Sequence, residues 1–177
     1  MFRFPRSMML AATVAVIALP AFQPAAGYAY STGDLVISIE GQANGALTLD
    51  QAGPIVLQEF THNGTSSASS VGQLALPQTA TTINGVTNYA VSGEFGSASE
   101  GLLQLSGNGK LLTIMGYGVN AAQFNANPAG FGSATGALGQ TTSTAAPRVV
   151  ATIDGNGFVD SSTGLTNVFN TQNPRSA

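Results

Sequence analysis

Three glycine and asparagine turns, Asn84-Gly85, Gly107-Asn108-Gly109 and Gly155-Asn156-Gly157, each separate two short β-like runs. Both residue types tolerate the left-handed backbone angles that a tight hairpin demands. The runs around them, within TTINGVTNYAVSGEF, in GLLQLS and KLLTIMGY, and in RVVATID and FVDSST, therefore read as paired antiparallel strands. Further strands precede them. DLVISIE alternates, with Leu35, Ile37 and Ile39 on one face and Ser38 and Glu40 on the other. PIVLQEF mixes apolar and polar residues on both faces, as a strand covered on both sides would, and SVGQLAL ends at Pro77. Residues 118–146 carry Gly, Ala, Asn, Gln and Thr without clear periodicity and read as a long loop with one short irregular strand. Helix signals are weak throughout this part, so the expected fold class is all-β, as a sandwich, barrel or propeller.

The first 29 residues read as an address. Arg3 and Arg6 precede an uncharged apolar run from Met8 to Leu19, and Gly27-Tyr28-Ala29 places small residues where a signal peptidase reads, so cleavage is expected near Ala29. The run is too short to cross ~30 Å of hydrocarbon. Residues 30–177 then form one domain, with Lys110, Arg148 and Arg175 against eight Asp and Glu, a balance of 3 − 8 = −5. That balance excludes a basic footprint for nucleic acid and disfavours an anionic membrane surface. There is no cysteine, so disulfides and a thiol nucleophile are excluded.

SGNGKLL contains a Gly-Lys pair that could cradle phosphate. Such a loop needs glycine where Gln104 stands and Ser or Thr where Leu111 stands, and a helix should follow rather than a strand. The segment is a hairpin. DGNGFVD suggests calcium, but Phe158, Val159 and Leu165 occupy positions where an EF-hand needs an oxygen ligand, Gly and Glu. A looser calcium site from Asp154, Asn156 and Asp160 is the weak alternative to a turn that bonds its own backbone. His62, the only histidine, has no triad or zinc partners nearby in sequence and reads as a loop residue. Glu94 and Glu100 bracket FGSAS and are the one candidate carboxylate pair for glycoside cleavage. Tyr89, Phe95, Tyr117, Phe124 and Phe131 are candidates for a sugar-stacking platform, with burial the commoner fate. Arg148 opens a strand after Pro147, where a structural pairing with an acid is expected. No catalytic constellation emerges.

Glu100-Gly101-Leu102, LSGNGKLLTIMGY, RVVATIDGNGFVD and NPRSA together resemble the start of a family of uncharacterised secreted bacterial proteins. The hairpin at Asn108 is similar to the strand-turn-strand element of bacterial β-propeller repeats, with Asn108 where Asp is usual. Members of that family are expected to be propellers, many with a C-terminal sorting tail of the PEP-CTERM type, which this sequence lacks. The resemblance implies no catalytic residues. It also implies a bacterial source, so the acceptor sequence Asn63-Gly64-Thr65 is not expected to carry a glycan. A propeller needs about four to eight blades of roughly 40–50 residues, so residues 30–177 would supply about three, and truncation at the C-terminus is expected. An open β-sandwich is the alternative.

The expectation for function is an exported, non-enzymatic surface or extracellular-matrix interaction protein, with extracellular polysaccharide or envelope proteins as partners and no cofactor other than the weak calcium candidate. The alternative is a piece of an extracellular polysaccharide hydrolase or lyase. Cell envelope or extracellular space is the expected location.

Overall fold

The structure, a computed structural model, describes residues 28–41, 47–62, 64 and 67–175. The expected leader's apolar run and the acceptor residues Asn63 and Thr65 lie outside the described residues. The fold is all-β and antiparallel, and none of its sheets closes. Its strands are β1 (Leu35–Glu40), β2 (Ala52–His62), β3 (Ala68–Ala75), β4 (Thr81–Ile83), β5 (Val86–Asn88), β6 (Ser92–Glu94), β7 (Gln104–Leu105), β8 (Leu111–Tyr117), β9 (Arg148–Asp154) and β10 (Val159–Leu165).

The main sheet runs β1-β2-β6-β8-β9-β10, with β3 also paired to β2 and β7 also paired to β8. β2 is long enough to serve two wings: its start pairs with β6 and the rest with β1 and β3. The sheet curls so that Ile55 and Leu57 of β2 meet Ile114 of β8 and Val149, Ala151 and Ile153 of β9 in one buried cluster. Gly116 lets β6 approach β8, because a Cβ there would lie 2.8 Å from the Ser92 carbonyl oxygen and 2.9 Å from Val91 Cγ1.

The three turns behave as their residues require. Asn84 and Gly85 both have positive φ (51° and 79°) between β4 and β5, and Gly109 and Gly157 turn the other two hairpins at 69° and 74°. One local expectation fails. Residues 118–146 contain no strand; they hold helix α1 (Ala121–Ala126) and two 3-10 turns, Pro128–Phe131 and Leu138–Gln140. Asn120 caps α1 by accepting from the Gln123 N–H, while Asn127 accepts from Gly130 N–H and Pro128 starts the next turn. The Asn125 side-chain amide pairs with both main-chain groups of Ala52, at 2.8 and 2.9 Å, so the helix caps the start of β2 in place of a strand. Phe124 anchors the helix in a second cluster with Tyr117, Val119, Leu138 and Ala146.

The facing of β1 is a separate finding. Its alternation holds, but the apolar side faces out: Leu35 is 62% exposed and Ile37 37% exposed, while Val36 packs on the core and Glu40 turns inward. Pairing with β2 sets this, because Glu40 lies opposite the fully buried Ile55 and Leu35 opposite Phe60 on the outer face.

Candidate functional site

Directly opposed residues in antiparallel strands share a face, so the register Ser92–Tyr117–Arg148 lines up a polar row across β6, β8 and β9, and Glu94, two residues after Ser92, shares that face. The Tyr117 ring and the Arg148 guanidinium are both fully buried and stack at 4.7 Å. Arg148 gives its protons to the carbonyls of Gly139, Thr141, Ala146 and Gln172 and to the Thr141 hydroxyl. The expected pairing of Arg148 with an acid is replaced by this main-chain cradle, which ties β9 to the 138–140 turn and the segment after β10. Desolvation pulls the guanidinium pKa below its ordinary value.

Three acids gather at the end of β6. The Glu100 carboxyl accepts from the Glu94 main-chain N–H at 3.0 Å and from the Tyr117 hydroxyl at 2.7 Å. Glu94 in turn is bonded by the Gly139 N–H and by the side chains of Asn173 and Glu100. Glu40 enters from β1 and fills space beside Gly93 and Gly101 that a Cβ at either glycine would need, and its buried Oε1 has no hydrogen-bond partner. Burial raises the pKa of all three, and neighbouring charge adds to it, from Glu94 at Glu40, from Glu94 and Glu40 at Glu100, and from Asp50 at Glu94; Glu40 and Glu100 are pushed up to about 7. The same burial, and the Glu100 charge, raise Tyr117 far above its ordinary value.

The cluster brings Glu94 and Glu100 into contact, whereas a hydrolytic pair stands ~5–10 Å apart across the scissile bond. Both are buried, 5% and 8% exposed, and Glu100 spends its oxygens on a main-chain N–H and a tyrosine hydroxyl. What this arrangement does chemically is hold protons and knit β1, β6, β8 and the segment around Asn173. Glu40 and Asn173 had no sequence signal, since only the fold joins residues so far apart.

The remaining candidates scatter. Asp154 accepts from the Asn156 and Phe158 N–H groups, both at 2.9 Å, and Asp160 accepts from the Ser162 N–H, so both carboxylates bond their own backbone. Among the described residues, no group of three or more His, Cys, Asp or Glu is placed to hold a metal ion. Ser106 and Asn108 side chains accept from the N–H groups of Lys110 and Leu111, which makes the Gly-Lys segment a self-satisfied hairpin. His62 is exposed at the end of β2. Tyr117 and Phe124 are fully buried and Phe131 leans on Phe124 at 5.8 Å, so these aromatics build core rather than a platform.

The surface offers a different feature. Three cross-strand rows, Leu35–Phe60–Ser70, Ile37–Gln58–Gln73 and Ile39–Val56–Ala75, make the outer face of β1, β2 and β3. These nine residues include no charge, and three of them are large aliphatics on β1. Gln58 donates to the Ser70 hydroxyl across the face at 2.6 Å. No helix among the described residues is long and apolar enough to cross a membrane. No family model matches the chain, and neither a curated protein nor a solved structure is significantly similar to it.

Proposed function

We propose that the chain is an exported, non-enzymatic interaction module that meets extracellular polysaccharide or a neighbouring envelope protein through the outer face of β1, β2 and β3. The observation that carries this reading is the reversed β1, which turns Leu35 and Ile37 to solvent on an uncharged face while Glu40 goes inward. Leu35 and Ile37 are neighbours on one face of the strand, and a contiguous exposed apolar patch, unlike a scattered apolar residue, marks a contact site. The buried acids favour the non-enzymatic form, because a hydrolytic pair must reach a scissile bond from both sides. In its finer form the reading takes the open sheet as a propeller-like segment.

Co-sedimentation with isolated extracellular polysaccharide and with envelope fractions tests it, using the wild type beside a Leu35→Lys, Ile37→Lys variant. Retention of the wild type and loss by the variant are expected. No retention, or equal retention of both proteins, sinks the proposal. The rival reading, a polysaccharide hydrolase or lyase, requires turnover that Glu94→Gln or Glu100→Gln abolishes.

A further inference from the structure

Two bonds near the start of the domain satisfy the small-residue rule of leader peptidases. Cutting after Ala29 places Gly27 and Ala29 at the two read positions; cutting after Gly27 places Ala25 and Gly27 there. The sequence reading favours the first. The fold does not.

Tyr28 is built into the domain. Its ring occupies the space that a side chain on Gly72 of β3 would need, and its main chain does the same at Gly157, in the turn between β9 and β10. Its hydroxyl donates to Glu59 at 2.5 Å, and the Ser31 N–H donates to the other oxygen of that carboxylate at 2.6 Å. Glu59 is fully buried on β2. The Tyr28 ring meets Tyr30 edge-on at 5.5 Å, and Tyr30 packs on the main core while its N–H bonds the Gly155 carbonyl at 3.0 Å. Removing residues 28 and 29 would leave a buried carboxylate with one of its two donors and two glycine notches with nothing in them. Losing a hydrogen-bond donor to a buried carboxyl group costs the fold stability.

We infer that the mature chain begins at Tyr28, released by hydrolysis of the Gly27–Tyr28 bond. The inference rests on the reading of residues 1–29 as an export leader and moves the expected cut from Ala29. The step is ordinary peptide hydrolysis by a leader peptidase: the C–N bond breaks, water supplies the new carboxylate of Gly27, and Tyr28 keeps the nitrogen as an ammonium. The peptidase reads the unfolded precursor, so the fold does not steer it; the fold bears on the cut through the contacts that the domain would lose without Tyr28.

The test is N-terminal sequencing and intact mass of the protein recovered after export of the full-length chain. A first residue of Tyr28 is expected. A start at Tyr30 overturns the inference and leaves the leader reading standing, and an exported chain still beginning at Met1 overturns both. Gly72→Val gives an independent readout. With Tyr28 present the new side chain displaces its ring, and the melting temperature of the exported protein falls. Were Tyr28 absent, valine would be accommodated in β3 and raise it, since it suits a strand better than glycine.

Discussion

Replacing Glu40 with Gln tests whether the acid cluster holds protons in the folded protein. Burial first, and the Glu94 charge second, push the Glu40 carboxyl from 4.5 up to about 7. The unfolded chain loses this proton near pH 4.5 and the folded chain near pH 7, so between those values the folded state binds more protons. Stability that is full below pH 4.5 therefore drains away as pH rises toward 7, and does not return above it. The gap, 7 minus 4.5, corresponds to about 3 kcal/mol for this group. In a domain of this size that is roughly 6–12 °C in melting temperature. Gln keeps the shape, carries no charge, and offers an N–H to the facing carboxylates. Urea unfolding followed by tyrosine fluorescence between pH 4.5 and 8.5 is the assay. Glu40→Gln should match the wild type at the acid end and exceed it at pH 8, with a shallower slope between. Glu100, which titrates in the same window for the same cause, leaves the variant a residual slope. Parallel slopes for the two proteins, or a wild type that gains stability as pH rises from 5 to 8, would refute the reasoning.

Arg148→Met should cost about 3–5 kcal/mol in urea unfolding, because the carbonyls of Gly139, Thr141, Ala146 and Gln172 lose their buried donors; Arg148→Lys should recover only part of this, since a lysine cannot reach them as a fork. Gly116→Ala should lower stability by roughly 1–3 kcal/mol in the same assay, because the new methyl meets the Ser92 carbonyl, which cannot swing aside. Asp154→Ala should cost about 1 kcal/mol by removing the acceptor of two turn N–H groups, with the same loss in calcium and in chelator. A loss seen only in calcium would restore the calcium site at Asp154, Asn156 and Asp160.

Hairpins were legible because their information is local. Asn84-Gly85 and the Gly-Asn-Gly turns specify backbone angles within a few residues, and the strands beside them follow. Helix α1 was missed although its signals were present: Asn120 as cap, Phe124 as the one large apolar anchor, and Asn127-Pro128 as stop. Six residues give too little periodicity to outweigh a polar composition, and docking through Asn125 onto Ala52 is a tertiary fact. The facing of β1 was not legible for another reason. Alternation shows which residues share a face, whereas the partner strand decides which face turns inward, and Glu40 opposite Ile55 reversed the usual choice. The acid cluster was half legible. Glu94 and Glu100 lie close in sequence, but Glu40, Tyr117, Arg148 and Asn173 join them only through cross-strand register and the returning chain after β10.

The central claim is that this chain works by contact and not by turnover. The most direct test incubates isolated extracellular polysaccharide with the purified protein and follows, in the same samples, how much protein is retained and whether new reducing or unsaturated ends appear. The account predicts retention that depends on Leu35 and Ile37, with no new ends above the protein-free control. New ends that vanish in Glu100→Gln, with that variant folded and still retained, would contradict it.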